Sequence, residues 1–128
     1  MGLQINKTLN IDDGLMIPSG SAITWNTTFV AGSRVINFNP LFVFLSITDR
    51  DDYYNGVVGA PNPTISSRIN DMLGFYTYTM TEEEQTSLET EVGAFSKVEN
   101  WLKDQIVENS NGYLTQADIV IIPNVTLL

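Results

Sequence analysis

From almost the first residue, Leu3, Ile5, Leu9 and Ile11 alternate with Gln4, Asn6, Thr8, Asn10 and Asp12, and Lys7 is the one charge on the apolar side. A period of two sends successive side chains to opposite faces, so this stretch reads as one half-buried strand. The pattern recurs. Ile23, Trp25, Thr27 and Phe29 oppose Ala22, Thr24, Asn26 and Thr28, while Val35 to Phe38 and then Leu41 to Ile47, after Asn39-Pro40, supply two more strands. Leu41-Phe42-Val43-Phe44-Leu45 is apolar on both faces, as a central, doubly covered strand requires. Asp12-Asp13-Gly14, Pro18-Ser19-Gly20 and Ala31-Gly32-Ser33 place turn residues between these runs. Phe75 to Met80 alternates aromatic residues with Thr as another strand, and Ile119-Val120-Ile121-Ile122 precedes Pro123 and the apolar end Val125-Thr126-Leu127-Leu128.

Helical signals occupy most of the rest. Ile65, Ile69, Met72 and Leu73 have the spacing of a short helix before Gly74. Thr81-Glu82-Glu83-Glu84 is a capping box, in which the Thr hydroxyl accepts from the third backbone N–H, Glu84 reaches back, and three acids sit at the positive end of the helix dipole. The helix is predicted over 82–108, about 40 Å long at 1.5 Å per residue. Leu88, Val92, Phe95, Leu102 and Ile106 share a stripe that Glu99 interrupts; recentring it on Phe95, Val98, Trp101, Leu102 and Ile106 moves Glu99 to the edge. A bend near Gly93, or a helix touching two surfaces, then turns Trp101 away from the core of the first half. From Asp49 to Pro63 no periodicity survives, and about fifteen such residues read as a binding loop. The expected fold is α+β in a single domain, 1–128: a β-rich region over 1–80 forming a mostly antiparallel sheet of five or more strands, one long amphipathic helix at 82–108 packed on it, and a C-terminal strand at 117–128.

Histidine and cysteine are missing from all 128 residues, which removes disulfides, thiol nucleophiles, His-dependent triads and His or Cys metal sites together. Serine and threonine nucleophiles have no GxSxG or SxxK setting, and Lys7, Lys97 and Lys103 sit in no motif. Asp49, Asp51, Asp52, Asp71 and Asp118 could pair for glycoside hydrolysis, but nothing selects a pair. Asp49-x-Asp51 with Asn55-Gly56 suggests calcium, yet an EF-hand loop begun at Asp49 puts Tyr54 where glycine is needed, and one begun at Asp51 closes on Asn62 instead of Glu. No enzyme activity, catalytic residue, metal or cofactor is therefore expected. The formal charge is −9, and eight of the fifteen acids fall within 82–108, against six Lys and Arg in the whole chain. Phosphate neutralisation needs more cations than that, so no specific nucleic-acid binding is expected. No window reaches the roughly 20 apolar residues of a membrane span. Met1 to Lys7 is neither a signal peptide nor a myristoylation site, Asn6 standing where Ser or Thr is required, so a soluble product is expected. Asn-x-Thr sequons at Asn6, Asn26 and Asn124 follow from a chain with 13 Thr and 12 Asn.

Contact is what remains. Tyr53 and Tyr54 in a polar stretch and Trp101 off its stripe are candidate interface anchors, as Tyr and Trp are favoured in such positions. Leu3 and Ile5 at one end, and Val125, Leu127 and Leu128 at the other, carry strand patterns to the tips, which calls for docking within the subunit or on a neighbour's sheet edge. Leu3-Gln4-Ile5-Asn6-Lys7, the Ile17-Pro18-Ser19-Gly20-Ser21 turn into a strand and the Tyr78-Thr79-Met80-Thr81-Glu82-Glu83-Glu84 run into a helix resemble small structural proteins of tailed bacteriophages, in the style of ring or connector subunits of the head-to-tail region in crAss-like phages. The resemblance implies a non-enzymatic virion protein made in the bacterial cytoplasm. It would form a homo-oligomeric ring around the DNA passage and contact portal or neighbouring ring and tail subunits. Such families have no fixed site motif, so no residue role is carried over. The alternative is a β-rich carbohydrate-binding or adhesin module using the 49–63 loop, with calcium.

Overall fold

The computed structural model describes residues 2–12, 14–30, 32–90 and 96–123, with all their side chains except those of 12, 87–90 and 96. Its strands are β1 (Leu3–Ile5), β2 (Leu9–Asp12), β3 (Leu15–Ile17), β4 (Ser21–Phe29), β5 (Val35–Phe44), β6 (Tyr76–Thr79) and β7 (Ile119–Ile121). Its helices are α1 (Ile47–Tyr54), α2 (Ser67–Ile69, running into a π-helical turn Asn70–Gly74), α3 (Glu82–Thr90) and α4 (Ser96–Asn109). The fold is α+β: an antiparallel sheet in the order β6-β5-β4-β1-β7, with β2 and β3 forming a separate hairpin.

Three sequence expectations are corrected. The amino-terminal alternation is two strands in two sheets. Asn6 N–H donates to the Asp118 carbonyl and Gly20 N–H to the Ile5 carbonyl, both at 2.7 Å, which closes the β1 ladder before β2 turns away. Lys7 lies at the break, its Nζ donating to the Tyr113 carbonyl at 2.9 Å and sitting 4.1 Å from the centre of that ring. Conversely, the two strands expected around Asn39-Pro40 are one. Trp25 pairs with Leu41 and Thr27 with Phe38, so Asn39 and Pro40 together oppose Asn26 as a bulge, which accommodates a proline that a regular ladder would not.

Helix length is the third. Where one helix was expected over 82–108, α3 and α4 are 9 and 14 residues long, and 91–95, including Gly93 and Phe95, lie outside the described residues. The capping box at the start of α3 is as expected: Glu84 N–H donates to Thr81 Oγ1 at 3.2 Å and Thr81 N–H to Glu84 Oε1 at 3.0 Å.

β4 and β5 are the spine of the sheet, and their partners cover opposite halves. β1 pairs only with Ser21 to Ile23 of β4, whereas β6 pairs only with Val35 to Phe38 of β5. The other half of β5's outer edge is closed without a strand: Leu41 N–H donates to Asn70 Oδ1 at 2.7 Å, and Val43 and Thr64 exchange main-chain bonds of 3.0 and 2.8 Å.

One face of the sheet carries the main core. Leu3, Ile5, Ile23, Trp25, Ile36, Phe38, Leu41 and Val43 pack there against Ile69 and Leu73 and against Val98, Leu102 and Ile106 of α4. The opposite face holds a second, small cluster of Ala22, Phe44 and Ile122, with Phe42 and Ile47 against it.

Candidate interaction surface

Asp49 to Tyr54, read from the sequence as the start of a loop, is helix α1. Ser46 caps it, its hydroxyl accepting from Asp49 N–H at 3.0 Å, and Asp49 lies in the first turn. The helix lies against the second face of the sheet. Tyr53 and Tyr54 have ring centres 5.5 and 5.9 Å from that of Phe44, and the Tyr54 and Thr24 hydroxyls are 3.1 Å apart. Both tyrosines stay partly exposed. They are held by their own subunit on one side and available on the other.

Arg50 is the buried residue of this helix, 2% exposed. Its guanidinium pairs with Asp51 through Nε at 2.9 Å and Nη2 at 2.8 Å, while Nη1 has no hydrogen-bond partner among the described residues. A Cβ on Gly2 would stand 2.9 Å from Nη1 and 3.3 Å from Ile122, so the guanidinium lies on bare backbone that only glycine offers. Glu99 approaches the same residue from α4. It is buried, takes a hydrogen bond from the Gly2 main chain, and burial raises its pKa. The recentred stripe placed Glu99 at an edge; the structure turns it inward.

Trp101 is also corrected. Its ring meets Tyr76 and Tyr78 edge-on, at 6.1 and 5.1 Å, and Tyr76 in turn meets Trp25 at 6.1 Å, so it packs on the main core. The phenols are anchored as well. Asn109 Nδ2 donates to Tyr76 Oη at 2.9 Å, and Tyr78 donates to Glu84 Oε2 at 2.5 Å. Burial and the Glu84 carboxylate push the Tyr78 pKa up to about 12, and the same bond lowers that of Glu84.

Leu3 and Ile5 are wholly buried, with β4 on one side of their strand and β7 on the other, so they are interior and not a free edge. Val125, Leu127 and Leu128 lie outside the described residues. Among the described residues, no group of three or more acidic side chains is placed to hold a metal ion.

The surface that sequence reading missed is the far half of the spine. Leu41 and Val43 direct their N–H groups away from β4, so the residues opposite them, Trp25 and Ile23, turn their own main-chain groups to the other side. Ile23 meets Leu3 of β1 there. Trp25 lies past the last β1 pair, and strand alternation places Thr27 and Phe29 in the same position. Among the described residues no strand pairs with this edge from Thr24 to Phe29.

The second face of this half is equally bare. Asn26, Thr28, Asn37, Asn39, Thr77 and Thr79 are exposed on it beside Phe75, which is 59% exposed, and Thr77 Oγ1 donates to Asn37 Oδ1 at 3.2 Å. Phe29 and Val30 are exposed at its corner, 56% and 39%. None of these residues is charged. Charge begins at the rim, where Arg34 and Glu82 line an open hollow of about 650 Å³ with Gly32, Ser33, Thr79 and Gln85. The sequence signal was present in the Asn and Thr that alternate along β4, β5 and β6, but it takes the sheet order to show that they share one face.

No protein-family model, curated protein or solved structure matches this chain.

Proposed function

We propose that this protein is a non-enzymatic structural subunit that associates with copies of itself into a ring, in the virion of a tailed phage at the head-to-tail connector or tail, with portal or neighbouring ring subunits as further partners. One observation carries the self-association: among the described residues no strand pairs with the edge of β4 beyond Ile23, and the uncharged Asn26, Thr28, Phe29, Val30 and Phe75 lie exposed there. Unpaired edges invite added strands unless charge or proline blunts them, and this one carries neither. The phage setting rests on the sequence resemblance. The two connect through charge: a ring lined by the acidic helices α3 and α4 would not bind passing DNA.

The measurement is the mass of the purified protein by light scattering and native mass spectrometry, from low to high micromolar. A discrete oligomer is expected; a monomer throughout the range sinks the proposal.

The same face favours a second reading, a glycan-binding module. Its exposed Asn and Thr residues beside Phe75 offer uncharged hydrogen-bonding groups and a ring on which a sugar can stack. Binding to a glycan array that Phe75→Ala abolishes, by a protein that stays monomeric, would replace the ring reading with this one.

A further inference from the structure

We infer that β4, along its open edge from Thr24 to Phe29, pairs in parallel with the outer edge of β6 in a second copy, so that one sheet continues from subunit to subunit. The inference deepens the self-association proposed above and rests on it.

The half of the sheet that β1 leaves bare is open on both sides. β6 is an outer strand, and among the described residues nothing pairs with its far side. Met80 N–H donates to the Arg34 carbonyl at 2.8 Å, so alternation turns the main chain of Tyr78 and Tyr76 toward β5 and that of Thr79, Thr77 and Phe75 outward. Phe75 is extended like the strand it precedes. β7, the other outer strand, lies level with Ser21 to Ile23, where β1 already covers β4.

Register selects the pairing. Thr27, Phe38 and Tyr76 form one row across β4, β5 and β6, and Phe29, Ile36 and Tyr78 form another. β4 and β6 are both antiparallel to β5, so they run the same way. A ring whose axis lies along the strands moves each copy sideways and keeps both direction and level, which carries these rows into the next subunit. A parallel ladder sets a residue that turns its main chain to the neighbour level with one that turns away. Thr27 and Phe29 face out from β4, and the residues level with them in β6, Tyr76 and Tyr78, face in. The N–H groups of Thr27 and Phe29 then meet the carbonyls of Phe75 and Thr77 of the second copy, while their own carbonyls meet its Thr77 and Thr79 N–H groups. No slip in register is needed.

The side chains agree. The same rows bring exposed Phe29 beside Tyr78 of the second copy on the core face, and Asn26 and Thr28 beside its exposed Phe75 and its Thr77 on the other. Neither Thr24 to Phe29 nor Phe75 to Met80 holds a charge or a proline, so the contact adds no like-charge repulsion to a chain of formal charge −9.

One chain thus carries both halves of the contact on opposite sides of the same three strands. Such a contact is head-to-tail, and it closes a ring when the rotation permits. Every copy then places α4, which packs on the core face, on the same side of the continuous sheet.

A mixing experiment tests this. Thr27→Pro removes an outward N–H from β4 and leaves only the β6 edge competent, whereas Thr77→Pro does the reverse. Phe29→Lys and Thr77→Lys replace either form should it lose its far-UV circular dichroism. Each variant alone is expected to be monomeric where the wild type assembles, and an equimolar mixture to give a one-to-one dimer in native mass spectrometry. If the wild type assembles and the mixture stays monomeric, or either variant alone assembles equally well, this pairing is wrong while the self-association survives. Dimers of Thr77→Pro alone would overturn it in favour of β4 pairing with β4. A wild type monomeric at every concentration removes the proposed function and this contact together.

Discussion

Gly2 is where two charged side chains from opposite layers converge, Arg50 of α1 on one face of the sheet and Glu99 of α4 on the other. A buried guanidinium with one unpartnered nitrogen is a poor source of stability, and an apolar side chain of similar length does as well. Arg50→Met is thus expected to be neutral or stabilising by about 1 kcal/mol in urea denaturation, whereas Gly2→Ala, which drives a methyl group against Nη1, destabilises by about 1–2 kcal/mol. Trp101→Ala is expected to cost about 2 kcal/mol of folding stability through lost aromatic packing, and a mutant that folds as stably as wild type while associating less would return Trp101 to the interface. The titrations oppose one another. Glu84 has a lowered folded pKa, so its contribution is present above the ordinary carboxylate value and is lost as pH falls through the lowered one; that of Glu99 is raised, so stability falls as pH rises from the ordinary value through the raised one. Glu99→Gln should flatten the fall in melting temperature above pH ~4.5. Tyr78 should titrate near pH 12 in ultraviolet absorbance, and Glu84→Gln should bring it back toward 10.0.

At the scale of elements, legibility followed periodicity. The alternation of β4 and the Thr81 capping box were readable because each local pattern matches the structure that forms. Helix α1 was not, because its buried residue is a charged Arg50, while Tyr53 and Tyr54, which pack on Phe44, stay partly exposed, so no apolar stripe marks its inner side. The Ser46-x-x-Asp49 cap was the overlooked signal. Ser46→Ala should cost about 1 kcal/mol, with near-ultraviolet circular dichroism reporting looser Tyr53 and Tyr54. The split between β1 and β2 is decided by long-range bonds from Asn6 to Asp118 and from Gly20 to Ile5, which no local window contains. The open edge of β4 is hidden for the same reason: it depends on how far β1, a distant strand in sequence, extends alongside.

For the whole molecule, charge sets the conditions of assembly. Copies carrying a formal −9 repel one another, and salt screens that repulsion over a Debye length of roughly 10 Å at 0.1 M. Association should therefore strengthen from about 0.05 to about 0.5 M salt, while contacts made of ion pairs would weaken; sedimentation velocity distinguishes the two. The stagger of the sheet also dictates how the protein must be handled. Because β1 runs antiparallel to β4 and stops beside Ile23, any residues added ahead of it point along the lane beside Trp25, Thr27 and Phe29. A purification tag fused at the amino end would be fed onto that edge, where it could masquerade as a bound partner and yield a monomer of the experimenter's own making.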